Sequence, residues 1–357
     1  MINLTTGVQS KKLIILNILD VLRKYSDENH RLTQRDIEDI LLKEYDMTVE
    51  RKAIKRNIME LIDFGFEIEY TETTRMTPDK KTGEIVENTI LTDFYIVRDF
   101  TDGELRLLID SLVFSKHIPY EQCKNLVDKL AGLSNIYFSS GIKHIARMPI
   151  DKTDNKQLFL NIELIDEAIN KKCKVSFKYA EYGTDKKEHK RRRVDGSVRE
   201  YIISPYQMAA KDGKYYLICN YDKFDDISNY RVDRIRELKI LDEPAKPFEK
   251  LKGANGQRLN LSQYMKEHVY MYASETERVT FRATKSLISD IIDLFGKDVI
   301  FSNDDGEFIT VSVMTNEMSM VHFAKSYAPD VVVLSPEKVV EKVLADLKKT
   351  LMQYEGE

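Results

Sequence analysis

REYIISPYQMAAKDGKYYLICNYDKFDDISNYRVDRI, Arg199 to Ile235, is the stretch whose reading decides the fold. Two strand-like runs, Tyr206–Ala210 and Lys214–Tyr221, flank Lys211-Asp212-Gly213. Asp-Gly between apolar and aromatic runs is a short-range signal for a β-hairpin. A third run, Ser228–Ile235, carries Arg231 and Arg234 beside Tyr230 and Asp233. β-Branched and aromatic residues dominate all three runs, as half-buried strands require. On one continuous strand Arg231 and Arg234 point to opposite faces, and so do Tyr216 and Leu217. The stretch is therefore part core and part surface.

Tyr215-Tyr216-Leu217 resembles the Trp-Tyr-Leu signature of WYL-domain proteins. Ser204-Pro205 upstream and Arg231-Val232-Asp233-Arg234-Ile235 downstream resemble that family's flanking motifs. Tyr215 departs from the family's Trp but keeps an aromatic ring. Upstream lie the alternating run Cys173–Tyr179 and the basic run Lys186–Arg193. Short strands with tight turns in this region suggest a small barrel, and the resemblance implies an Sm-like β-barrel, placed at 173–245. It also implies a ligand sensor, with a nucleotide or single-stranded nucleic acid as the ligand class. Arg199, Ser204, Tyr206, Tyr216, Arg231 and Arg234 are the candidate ligand-binding residues, since aromatic faces beside guanidinium groups suit a stacked base and its phosphate. Asp233 could instead neutralise an arginine, and Tyr215, Leu217 and Val232 read as packing. Arg191-Arg192-Arg193 is either a solvated loop or an extension of a phosphate-binding surface.

At 357 residues and 42% hydrophobic content, the chain can form two or three domains with real cores. Its net charge of −4, with 32% charged residues, provides no global positive field. Nucleic-acid contacts must come from local patches. Cys123, Cys173 and Cys219 lie far apart, without disulfide or zinc spacing. No apolar signal core or membrane-length run is evident, so a cytoplasmic protein with no membrane partner is expected.

The first hundred residues read as a winged helix-turn-helix at 1–100. Lys11–Tyr25 has helical periodicity, with Leu13, Leu16, Ile18, Leu19 and Leu22 on one side. Thr33, with Asp36 three residues on, caps a second helix. A third, Glu50–Phe64, stops at Gly65. It would be the recognition helix on duplex DNA, presenting Arg51, Lys52, Lys55, Arg56 and Asn57. A basic helix face that is merely solvated is the alternative. Phe66–Tyr70 and Ile90–Ile96 alternate like a wing, with Lys80 and Lys81 at its tip as candidate phosphate contacts.

Residues 101–172 form a helical connector, starting at a Thr101-to-Glu104 cap whose helix buries Leu105, Leu108, Ile109, Leu112 and Val113. After a linker, 261–357 reads strand-helix-strand-strand-helix-strand-helix, a split βαβ sandwich. It is similar to the extension that follows many WYL domains. This segment is expected to hold a homodimer together. The expected fold class is thus α+β multidomain.

His30, His117, His144, His189, His268 and His322 lack metal-ligand spacing, and no GxSxG, Walker or GxGxxG run is present. No enzyme and no cofactor is expected. The sequence reads as a ligand-responsive transcriptional regulator. The alternative is a WYL accessory protein that binds nucleic acid and modulates a partner such as a CRISPR effector.

Overall fold

In the computed structural model, which describes residues 10–78, 85–141, 152–153, 155–252, 254 and 256–356, the chain divides into two units. One is Met1–Ser115 with Tyr120–Lys152; the other is Lys116–Pro119 with Thr153–Glu357.

The first unit opens with α1 (Ile14–Tyr25), α2 (Gln34–Tyr45) and α3 (Arg51–Phe64). Thr33 and Asp36 form a reciprocal capping box at the start of α2, an arrangement worth about 1 kcal/mol. Gly65 ends α3 at φ 115°, where a side chain would be strained. Ile18, Leu22, Ile37, Leu41, Ile54 and Ile58 form the core, closed by Phe94. Leu13 and Leu16 are exposed, contrary to the inward face read from α1's periodicity. The packed face instead runs through Ile18, Val21 and Leu22, because α2 and α3 cover that side.

β1 (Ile68–Pro78) and β2 (Ile85–Ile96) form a long antiparallel ribbon with an irregularity between Glu69 and Thr71. Lys80 and Lys81 lie outside the described residues. α4 (Asp102–Val113), α5 (Tyr120–Ala131) and α6 (Ile136–Gly141) follow. Leu105, Ile109 and Val113 pack with Phe138, whereas Leu108 is exposed rather than buried. The buried Lys152 ammonium donates to the carbonyls of Val113 (2.9 Å) and Ser115 (2.7 Å). A cation is favoured there by the helix dipole.

The second unit begins with α7 (Leu158–Lys171), then β3 (Cys173–Tyr182), β4 (Glu188–Lys190), β5 (Glu200–Lys211), β6 (Lys214–Tyr221) and β7 (Ile227–Arg231). A 3-10 turn, Val232–Arg234, leads into β8 (Ile235–Pro244). Asp212 and Gly213 both take positive φ, 49° and 67°. They make the tight turn between β5 and β6 that Asp-Gly favours, with Lys211 opposite Lys214.

The strand order is β4–β3–β5–β6–β7, with β8 also pairing β3. This sheet does not close into a barrel, contrary to the expectation from sequence. β7 runs out after five residues, and the 3-10 turn redirects the chain so that β8 joins β3 instead of β7. The same turn corrects the reading of Ser228–Ile235 as one strand. Arg231 ends β7 and Arg234 closes the turn, so strand alternation does not relate their directions.

α8 (Leu261–Glu267) packs on β5 and β6 through Tyr264, which joins Ala209, Ile218 and Met271 in one apolar cluster. Asn229 of β7 exchanges hydrogen bonds with the Tyr264 hydroxyl and donates to Met271 O (3.0 Å). Next come β9 (Thr276–Thr284), α9 (Ile288–Phe295), β10 (Ile300–Ser302), β11 (Phe308–Asn316), α10 (Glu317–Ser326), β12 (Val331–Ser335) and α11 (Glu337–Glu355). Their antiparallel order, β10–β11–β9–β12, is that of a split βαβ sheet. Val279, Phe281, Phe295, Val311, Phe323 and Val339 fill its core. Among the described residues no helix is long and apolar enough to cross a membrane.

Candidate functional site

Alternation along four strands builds one aromatic face on the first sheet of the second unit. Phe177 pairs across from Tyr201, Ile203 from Tyr221, and Leu217 from Tyr230. Side chains two apart share a face, so Tyr179 joins Phe177. Phe177 and Tyr201 stack at 5.5 Å. Tyr230 meets Phe177, Tyr179 and Tyr201 edge-on at 5.2–5.4 Å. Both geometries suit ring quadrupoles. Phe177, Tyr179, Tyr201 and Tyr221 are buried, while Tyr230 is only half-buried.

Two arginines roof this face. Arg199 lies 4.7 Å over the Tyr201 ring and 5.4 Å over that of Tyr221. Arg191 lies 5.2 Å over Tyr179. They are neighbours because residues 191–199 fold into a small hairpin. Arg199 N–H donates to Arg191 O, Arg193 N–H to Ser197 O, and Gly196 takes φ 82° at the bend. Arg191 also pairs with Glu181 at 2.7 Å. Arg199 has no carboxylate partner among the described residues. What a ligand could touch is this rim: Arg199, Arg191 and the accessible part of Tyr230.

The six ligand residues expected from sequence fall in several places. Arg199 is on the rim. Ser204 is fully buried, and its hydroxyl accepts the Lys246 N–H at 2.9 Å. Tyr206 donates to Lys246 O at 2.9 Å and meets Phe248 edge-on. Both side chains thus fasten the segment after β8. Tyr216 lies on the opposite sheet face, packed against the Tyr264 cluster. Arg231 stands opposite Tyr216 and forms a bidentate pair with Asp233, at 3.1 and 2.7 Å. The Asp233 side chain is 4% exposed and that of Arg231 21%. The Arg231 N–H donates to the Tyr179 hydroxyl at 3.1 Å, which ties the turn to the aromatic face. Arg234 lies 5.8 Å over Tyr182, with a buried Nε that has no hydrogen-bond partner among the described residues.

Sequence reasoning missed Phe177, Tyr179, Tyr201, Tyr221 and Tyr230 as a set. The signal was present as aromatics at alternate positions in separate strands. Burial raises the phenol pKa of Tyr179 and Tyr230, so these rings are neutral at physiological pH. Burial likewise pushes the Cys219 thiol well up, which leaves it unreactive. A separate cleft of about 420 Å³ runs between α8 and β9–β11, beside Lys266, Arg278 and Met314. None of the expected ligand residues lines it.

In the first unit, Arg51, Lys52 and Arg56 project from the first two turns of α3, and Lys55 is half-buried. Arg51 reaches Glu38 at 3.1 Å and Arg56 reaches Glu60 at 3.7 Å. Asn57 differs: it is 8% exposed and its amide donates to Ala53 O at 2.7 Å. It is turned back onto its own helix and does not stand on the exposed face assumed for it.

The geometry defines a class: a mixed α/β protein with N-terminal helices, an open sheet with an arginine-roofed aromatic face, and a C-terminal split βαβ sheet. Residues 161–240 match the WYL domain and residues 275–351 match the WCX domain. The chain thus carries a WYL domain followed by a WCX domain. Among solved structures, Proteasome accessory factor B/C (PafBC) of Arthrobacter aurescens is 13% identical, with 95% of this chain and 48% of that chain covered and a TM-score of 0.28. A crystal structure of a CRISPR Cas-related protein is 14% identical, with 99% and 88% covered and a TM-score of 0.35. The chain thus spans about half the length of the PafBC chain it matches. None of the curated proteins compared with it matches.

Proposed function

We propose that this protein is a ligand-responsive transcriptional regulator. The three helices and ribbon of the first unit act as a winged helix-turn-helix on duplex DNA, with α3 in the major groove. Arg51, Lys52, Lys55 and Arg56 supply phosphate and base contacts there. The WYL domain senses a nucleotide or single-stranded nucleic acid at its arginine-roofed face. Its strand order, with a 3-10 turn before β8, is read as an opened relative of the Sm-like layout. Two copies of the chain place two readers on one operator. No step of this reading is catalytic, and it places the protein in the cytoplasm.

The observation that carries the sensor is Arg199. Its guanidinium covers two tyrosine rings, with no carboxylate among the described residues to neutralise it. An anionic ligand would supply that charge, and a base could stack beside Tyr230.

Two titrations of the full chain test the reading. Labelled genomic duplexes should bind with sequence preference, and single-stranded oligonucleotides should shift that binding. Duplex binding without preference would indicate an accessory protein in place of a regulator. Failure of any nucleotide or oligonucleotide to bind would leave the arginine roof as packing and refute the sensor.

A further inference from the structure

α11 carries an apolar stripe that the described residues leave uncovered. Leu344, Leu347, Leu351 and Tyr354 recur at spacings of three and four, the a/d pattern of a helix-pair seam, and Val340, half-buried against the domain's own core, continues the spacing. Leu344 is 49% exposed, Leu347 38%, Leu351 56% and Tyr354 87%. The residues α11 buries in its own domain, Val339 and Val343, lie on a neighbouring face. From Leu347 onward every described residue of the helix is exposed. That end projects roughly 13 Å at 1.5 Å per residue. A helical end this short and this apolar is marginal in water by itself.

The charges beside the stripe select an occupant. Glu341 and Lys348 occupy equivalent flanking positions one heptad apart. Neither has an ion-pair partner among the described residues. Nearby charges are engaged inward: Lys342 and Lys338 with Glu317, and Lys325 with Asp346. A second α11 running antiparallel would lay Leu344 against Leu347 of the other copy, and Val340 against Leu351. In that register Glu341 of each copy meets Lys348 of the other, and both contacts are attractive. Sliding by one heptad would set Lys348 against Lys348 and Glu341 against Glu355. A parallel pair would bring no opposite charges together along the seam, because the positions facing Lys348 and Glu355 are Val343 and Thr350.

We propose that α11 pairs with α11 of a second copy of this chain, antiparallel, in the Leu344–Leu347 register. The two-fold axis passes near Ala345 and Asp346, and the patch is self-complementary, as an isologous interface requires. This deepens the pairing of copies proposed above and rests on that part of it alone.

Sedimentation of the full chain over a micromolar range tests it. Wild type should be a dimer. Leu347→Asp with Leu351→Asp should give a folded monomer, since both side chains are already exposed. Glu341→Lys or Lys348→Glu alone should each weaken the dimer by about tenfold, and the double swap should restore it. A monomeric wild type refutes both this interface and the pairing of copies. A wild-type dimer that survives the two leucine substitutions refutes α11 and leaves pairing to another surface. A dimer abolished by the leucine substitutions but not rescued by the double swap refutes the antiparallel register.

Discussion

Arg231→Ala and Arg199→Ala should have opposite consequences, although both remove a guanidinium from the same domain. Arg231 is 21% exposed and bound in bidentate fashion to an Asp233 side chain that is 4% exposed. No other side-chain partner for the Asp233 carboxylate is seen among the described residues. Removing Arg231 strands a buried charge, a change that costs about 3–5 kcal/mol. In a unit of this size each kcal/mol moves the midpoint by roughly 2–4 °C, so Arg231→Ala should melt about 6–20 °C lower. Arg199 lies against two tyrosine rings, contacts worth about 1 kcal/mol together at a half-open site. Arg199→Ala should therefore melt within a few degrees of wild type while losing its response to nucleotides or oligonucleotides. Differential scanning fluorimetry with and without nucleotides, cyclic dinucleotides and short oligonucleotides reads both effects. Arg231→Met with Asp233→Leu provides the control, since removing both charges should recover most of the loss. The reasoning is falsified if Arg231→Ala melts with wild type, or if Arg199→Ala is the less stable of the two.

Three further outcomes are expected. Combining Arg51→Ala, Lys52→Ala and Arg56→Ala should weaken duplex binding and lower the slope of log affinity against log salt by about 1 for each phosphate no longer neutralised; an unchanged slope would remove α3 from the interface. Asn57→Ala should leave base preference intact, because its amide is engaged by Ala53 O; a changed preference in a randomised-duplex selection would show that the side chain swings out on DNA. His268, stacked on Tyr264 at 3.8 Å, has its pKa lowered by burial from 6.5 to about 4. The unfolded chain then binds the extra proton between those values. Stability is whole above pH 6.5 and falls as pH drops toward 4, by up to about 3 kcal/mol. Denaturant midpoints of wild type and His268→Phe should diverge below pH 6.5, and parallel profiles would argue against it.

Local features were the most legible in the sequence. The caps at Thr33 and Thr101, the stop at Gly65 and the turn at Asp212-Gly213 each depend on a few adjacent residues. Their stereochemistry is the same in a peptide as in a protein. The strand and helix order of residues 276–355 was legible for a similar reason. Each element's apolar period matches its own geometry, and the short links leave few ways to arrange them. The WYL signature likewise pointed to the WYL domain that residues 161–240 match.

What needed the tertiary structure was which face meets what. Arg231 and Arg234 look alike in the sequence. A 3-10 turn separates them, and only the burial of Asp233 assigns Arg231 to an ion pair. Ser204 and Tyr206 read as ligand contacts but hold Lys246, forty and more residues away. Asn57 read as a base contact because helical periodicity marks polar residues without showing that one folds back on its own carbonyls. The aromatic face joins β3, β5, β6 and β7, so no local window contains it. Whether the sheet closes depended on how three residues after Arg231 turn the chain. The sequence by itself determined the elements, because φ/ψ preference and apolar period are properties of neighbours along the chain. The tertiary structure decided the site, because burial and charge pairing are properties of neighbours in space.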